Sequence, residues 1–252
     1  MPLPAELEAV EITTPDGTCD AHIAMPADGH EYPGVLFLMD AFGVRPVIDD
    51  WIRRIAGEGY VVLAPNLFYR SKKSPIVENV KAETTPEKRG ALFQSLMPMM
   101  HQLTQEALAS DSVAYIDYLN SLDNKGRIGV TGYCMGARAA IGIAAAHPDK
   151  VAVIAGFHGG NLATDQEDSP HLLASKIGAE VYMAYADDDA GATPEMQKKL
   201  SDALAAAGTK HQYETYAGAP HGYTMSDTEA YQRDAAEKHF TSLIALFGRV
   251  LK

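Results

Sequence analysis

The segment Gly132-Tyr133-Cys134-Met135-Gly136 sets a cysteine two residues from a glycine on either side. It falls between an apolar, strand-like run (127–132) and an Ala- and Gly-rich helical run (135–146). A strand, a sharp turn and a helix start bring two backbones close together, so small flanking residues are required. The residue at such a turn is held on a strained backbone with its side chain presented outward. Sulfur there sits near a helix N-terminus, whose dipole and free N–H groups favour a thiolate. The N–H of Met135 is positioned to bind the oxyanion that forms when a carbonyl is attacked. Cys134 is thus the candidate nucleophile for an ester or lactone carbonyl. The competing interpretation is a buried structural cysteine between two packing glycines. Cys19, on a strand-like run of a hairpin, has no such context and is read as structural.

A cysteine nucleophile needs a base, and the base needs a group that fixes its tautomer. Of the nine histidines, His221 follows the last predicted strand, in the turn Gly218-Ala219-Pro220-His221-Gly222. His211 begins a strand and His239 lies on the final helix, so His221 is the expected base. In the α/β-hydrolase arrangement the acid lies between nucleophile and histidine in the chain. The loop after the preceding strand reads Asp187-Asp188-Asp189-Ala190-Gly191. Asp189 is the expected acid, with Asp188 as the alternative. Three adjacent aspartates also fit a metal site or a solvated acidic loop. Alternating side chains do not by themselves converge on one ion, and no partner at metal-ligand spacing stands nearby, so no metal is expected.

These residues require a scaffold, and strand-like runs alternate with helical patterns throughout the chain. That alternation predicts an α/β fold with a mostly parallel central sheet and helices on both faces. Runs 9–13 and 19–25, separated by Pro15-Asp16-Gly17, predict an N-terminal antiparallel hairpin. The remaining strands are predicted at 34–39, 60–64, 127–132, 151–157, 181–186 and 212–216. Helices are predicted at 46–58, 86–100, 103–122, 135–146, 194–207 and 226–251, with Pro98 ending or kinking the second. Segments 71–85 and 159–175 read as loops. Neither repeats nor a linker interrupt the pattern, so residues 1–252 are expected to form a single domain.

Bulk properties narrow the function class. The chain of 252 residues is 46% hydrophobic and 21% charged, an ordinary globular composition, with a formal net charge of -12. No basic stripe is available to displace counterions, which excludes a nucleic-acid partner. The same charge disfavours anionic membrane surfaces. The two cysteines do not form a disulfide framework, the start Met1-Pro2-Leu3-Pro4 lacks a signal peptide's features, and no apolar run spans a bilayer. A cytoplasmic location is expected.

With these motifs assembled, the chain resembles the dienelactone hydrolase family of α/β-hydrolases. The likeness runs over 33–247 and rests on Met39-Asp40-Ala41-Phe42-Gly43-Val44, Ala64-Pro65-Asn66-Leu67-Phe68, the Cys134 segment, Ala186-Asp187-Asp188-Asp189 with Pro194-Glu195, and His221-Gly222-Tyr223. The resemblance implies a compact single-domain hydrolase without metal or organic cofactor. It also implies a small-molecule ester or lactone substrate, in the prototypes a dienelactone opened to maleylacetate. It matches Cys134, Asp189 and His221 to the triad and the N–H of Ala41 to the second oxyanion donor. Asp40 falls where the family has a glutamate that holds the resting thiol and takes its proton. Arg89 matches one of two arginines that hold the substrate carboxylate. The other position is Met225, which cannot replace a bidentate, charge-assisted clamp and points away from dienelactone as the favoured substrate. Arg70 and Arg138 read as ordinary arginines. The alternatives are a broad carboxylesterase or thioesterase, and a non-catalytic thiol redox sensor or binding protein whose Cys134 is oxidised.

Overall fold

In the computed structural model, which describes residues 1–82, 85–122 and 126–252, eight strands form one sheet. They are β1 (Ala5–Thr14), β2 (Gly17–Pro26), β3 (Gly34–Leu38), β4 (Val61–Pro65), β5 (Ile128–Tyr133), β6 (Val151–Phe157), β7 (Glu180–Ala186) and β8 (His211–Tyr216). Their spatial order is β1-β2-β4-β3-β5-β6-β7-β8. The predicted hairpin is present, with β1 antiparallel to β2 and β2 antiparallel to β4; from β4 through β8 every pairing is parallel. Gly17, with φ +142°, makes the hairpin turn that the Pro-Asp-Gly run predicts.

Helices α1 (Pro46–Ala56), α2 (Pro86–His101), α3 (Gln105–Ser121), α4 (Met135–Ala146), α5 (Pro194–Ala206) and α6 (Arg233–Val250) cover both faces. Successive side chains of a strand point to opposite faces, so β3 builds two cores. Leu36 and Leu38 join the core under α3, α4 and α5, while Val35 and Phe37 join the one under α1 and α6. Strands buried on both faces read as unbroken apolar runs, which is why β3 to β6 were legible. Helix α4 is rich in small residues because α3 crosses it closely: Gln105 Nε2 donates to the Gly142 carbonyl at 2.9 Å. Among the described residues no helix is long and apolar enough to cross a membrane.

Four predicted features differ. Helix α2 runs past Pro98 to His101. Segment 71–85 holds a 3-10 turn at Val80–Ala82, and its residues 83 and 84 lie outside the described residues. Likewise 159–175 leads into a 3-10 helix, Pro170–Lys176. The largest difference is that α6 begins at Arg233, not near 226. Residues 222–232 instead form consecutive turns, with Gln232 N–H donating to the Tyr223 carbonyl at 3.1 Å and Trp51 Nε1 to the Thr224 carbonyl at 3.0 Å. Their side chains are committed to tertiary partners, so local helical propensity is overridden.

The order of the strands creates the site. Chain connectivity leaves β3 for β4 on one side and returns to β5 on the other, so a crevice opens at the carboxyl ends of β3 and β5. Asp40 follows β3 and Cys134 follows β5.

Candidate active site

Cys134 has φ 53° and ψ −114°, in the left-handed half of backbone space where a non-glycine residue is strained. The neighbouring glycines are needed for contact reasons. A Cβ on Gly132 would lie 2.1 Å from the Gly136 carbonyl oxygen, and one on Gly136 would lie 2.2 Å from the Leu38 carbonyl oxygen. The turn is held by Cys134 N–H donating to the Phe157 carbonyl at 3.0 Å. Met135 is the first residue of α4, where backbone N–H groups have no intrahelical acceptor.

The loops after β7 and β8 are laced together before they present any chemistry. Asp187 N–H donates to the Ala219 carbonyl at 2.8 Å, and Gly218 N–H donates to Asp187 Oδ2 at 2.6 Å. That lacing sets His221 Nδ1 2.7 Å from Asp189 Oδ2, while Asp189 Oδ1 accepts from Gly191 N–H at 2.8 Å. Asp189 is the member of the aspartate run that meets His221. Asp188 occupies a turn with φ 49° and stays exposed. Among the described residues no group of three or more potential ligands is arranged to hold a metal.

His221 and Cys134 line the same cavity. Burial alone pushes the His221 imidazole pKa down; the interactions with Asp189 and Cys134 outweigh that and raise it to about 10. For Asp189, burial pushes upward, but the His221 hydrogen bond and charge win and its pKa is lowered. His158, at the end of β6, packs edge-on against His221 with ring centroids 5.2 Å apart. It is fully buried at φ 40°, and Thr224 Oγ1 lies 2.8 Å from its Nε2. Burial, followed by the charges of His221 and His239, drives its pKa well below the ordinary value, so it is a neutral wall.

On the other side of Cys134, Asp40 is buried and accepts from Arg45: Nη1 to Oδ1 at 2.7 Å and Nη2 to Oδ2 at 3.0 Å. Its Oδ1 also accepts from Phe42 N–H at 3.0 Å. Arg45 is equally buried and reaches Asp227 as well, with Nε to Oδ2 at 2.6 Å. Burial opposes the Arg45 charge, yet Asp40 and Asp227 more than offset it and its pKa is raised. This fork ties the loop carrying Ala41 to the turns after His221.

Cys134, His221, Asp40, Ala41 and Arg89 line one cavity of about 460 Å³, together with Phe42, Val80, Leu92, Phe93, His158, Met225 and Asp227. Arg89, on α2, is ion-paired with Glu229 in the cavity wall. Met225 is buried, as a wall residue and not a charge. Arg70 instead pairs with Asp111 and Asp16, and Arg138 with Asp168. Arg45, Asp227, Asp187 and His158 were missed in the sequence. Arg45 sits directly before Pro46 at the start of α1, and Asp227 in a stretch that reads as helix, so neither carries a local signal for pairing across 182 positions. His158 had one weak signal, a polar residue ending an apolar strand run.

Chemistry-bearing residues gathered at the carboxyl ends of a mostly parallel sheet, with a strained elbow at its centre, define an α/β-hydrolase. The sequence profile of the dienelactone hydrolase family matches residues 19–251, and the chain belongs to that family. It is therefore a hydrolase acting on ester or lactone bonds. A protein of Methylorubrum extorquens provisionally named carboxymethylenebutenolidase is 28% identical over 235 residues, covering 90% of this chain and 76% of its own. The crystal structure of a protein from Klebsiella pneumoniae, provisionally named a dienelactone hydrolase, superposes with a TM-score of 0.83 at 22% identity, over 97% of this chain and 98% of that one. A metagenomic dienelactone hydrolase-like promiscuous phosphotriesterase superposes at 0.79 with 18% identity, over 98% and 99%. The last two likenesses are of fold.

Proposed function

We propose that the chain hydrolyses esters or lactones through a Cys134–His221–Asp189 triad. The observation that carries this reading is His221 Nδ1 2.7 Å from Asp189 Oδ2 in the cavity that Cys134 also lines. The thiolate attacks the carbonyl carbon, and the carbonyl π electrons move to oxygen, which accepts from the N–H groups of Met135 and Ala41. Each donor supplies roughly 3 kcal/mol of transition-state stabilisation. Collapse breaks the carbonyl–oxygen bond, and imidazolium His221 gives its proton to the departing alkoxide, which in a lactone stays tethered. Water then attacks the thioester while His221 takes its proton, and the second collapse returns thiolate and acid.

Asp189 accepts from His221 Nδ1–H, which leaves Nε2 as the nitrogen that exchanges a proton with sulfur. To take the thiol proton, Asp40 has to leave Arg45; the role the geometry supports is positional, holding the loop that carries Ala41. Arg89 contacts substrate from the α2 wall. The chain works as a single domain in the cytoplasm on small molecules, without nucleic acid, membrane or cofactor. Its net charge of -12 supports the first two exclusions. Cys134→Ala is expected to lower kcat on p-nitrophenyl butyrate by about 10⁴-fold or more, with an unchanged melting curve. Rapid-quench mass spectrometry of the wild type is expected to trap a butyryl group on Cys134. Retained activity in the variant overturns the reading, and a sulfenic acid without an acyl adduct favours a thiol sensor.

A further inference from the structure

The cavity that holds Cys134 has almost no charge to offer a substrate. Outside the triad its acidic residues are Asp40, Asp227 and Glu229, and its basic ones Lys81 and Arg89, with Arg45 directly behind. Three acids thus face three bases, two of which, Arg45 and Arg89, are held in specific pairs. Arg45 is buried between Asp40 and Asp227, with Nη1 2.7 Å from one and Nε 2.6 Å from the other. Arg89 bonds Glu229, and Lys81 is exposed at the rim. The rest of the wall is mostly apolar, with Phe42, Val80, Leu92, Phe93, Met225 and Ala230 beside the polar Thr228 and neutral His158.

We infer that this site takes uncharged esters and lactones bearing an apolar chain and discriminates against anionic ones. The inference deepens the hydrolase reading above and rests on it for the identity of the reacting bond. A substrate carboxylate entering the cavity gains an arginine only by displacing Asp227 or Glu229. Displacing Asp227 exchanges one charge-assisted pair for another and leaves a carboxylate only 23% exposed without its partner, while Glu229, 60% exposed, competes for Arg89 at the solvent edge. An apolar chain has no such competitor. It buries against Phe42, Leu92, Phe93 and Met225, and each methylene removed from water strengthens binding about fourfold. Glu229 acts here as a specificity-determining residue, because it occupies the guanidinium that an anion would seek.

The test compares p-nitrophenyl butyrate with p-nitrophenyl hemisuccinate, which differ in length by little and in charge by one. On the wild-type chain, kcat/KM is expected to favour butyrate by at least tenfold. Equal rates, or a preference for hemisuccinate, overturn the inference. Calorimetric binding of hexanamide and of adipamate to the wild type reads the same preference without turnover. A tenfold preference for hexanamide therefore supports the charge filter even if Cys134 is not the nucleophile, and tighter adipamate binding refutes it. Glu229→Gln removes the carboxylate that pairs with Arg89 and is expected to raise the hemisuccinate-to-butyrate ratio about tenfold. An unchanged ratio overturns the assignment of the Arg89–Glu229 pair as the filter.

Discussion

Two carboxylates flank Cys134 in the order of the sheet, Asp40 after β3 and Asp189 after β7, and the chain pairs them differently. Asp189 meets a histidine whose side chain is 38% exposed. Asp40 meets an arginine that is 3% exposed and is shared with Asp227. The first pair can gain and lose a proton near solvent. The second cannot, because a guanidinium between two carboxylates stays charged at any working pH. Titratable and permanent charge are thereby separated: one side carries a histidine, and the other ties the loop of Ala41 to the turns after His221. The cavity wall between them carries Lys81, Arg89 and Glu229 among apolar side chains.

The largest expected break in that comparison comes on the histidine side. Asp189→Asn should lower kcat by about 10⁴-fold, since His221 loses the partner that fixes its tautomer. With His221 raised to about 10, proton donation to the leaving group should fail only above about pH 10 in the wild type. In Asp189→Asn that alkaline limb moves to lower pH, and a limb that stays in place contradicts the assignment. Stability carries the same signature. His221 is raised from 6.5, so the bridge stabilises fully below about pH 6.5 and is lost as pH climbs through about 10. Asp189 is lowered from 3.8, so the lower edge of the window lies near that value. Urea melts across pH should show this dependence in the wild type and not in Asp189→Asn.

On the fixed-charge side the effect should fall on stability first. Arg45→Met leaves Asp40 buried without its cation and should cost about 3–5 kcal/mol in urea unfolding. Combining Arg45→Met with Asp40→Asn and Asp227→Asn should return most of that loss. If the triple variant is no more stable than the single one, an uncompensated carboxylate is not the cause. A smaller effect is expected at the wall between the two sides. Thr224→Val removes the oxygen that meets His158 Nε2 and should cost about 1–3 kcal/mol in the same assay, with kcat falling only a few-fold. A loss as large as that of Asp189→Asn would make His158 more than a neutral wall.

Much of this arrangement was legible beforehand because its signals are local. The elbow needs glycines on both sides of the nucleophile, and the Cβ clashes at Gly132 and Gly136 are the physical form of that requirement. The doubly covered strands announced themselves as apolar runs. The stretch 226–232 was misread because its periodicity is compatible with helix, while Asp227 and Glu229 are drawn instead to Arg45 and Arg89. Such pairs join residues far apart in the chain, and local propensity contains no information about them.

The sequence by itself determined the alternation that yields the sheet, the turn that strains Cys134, and the chain order of nucleophile, acid and histidine. Each depends on backbone sterics or on side-chain period over a few residues. Only the tertiary structure decided that Asp189 and not Asp188 reaches His221, since that follows from the lacing of Asp187 to Gly218 and Ala219. It alone decided that Asp40 belongs to Arg45 and that Arg89 pairs with Glu229 in the cavity that Met225 lines. Those outcomes depend on which loops meet at the carboxyl edge of the sheet, and it is the packing of the whole chain that brings them together.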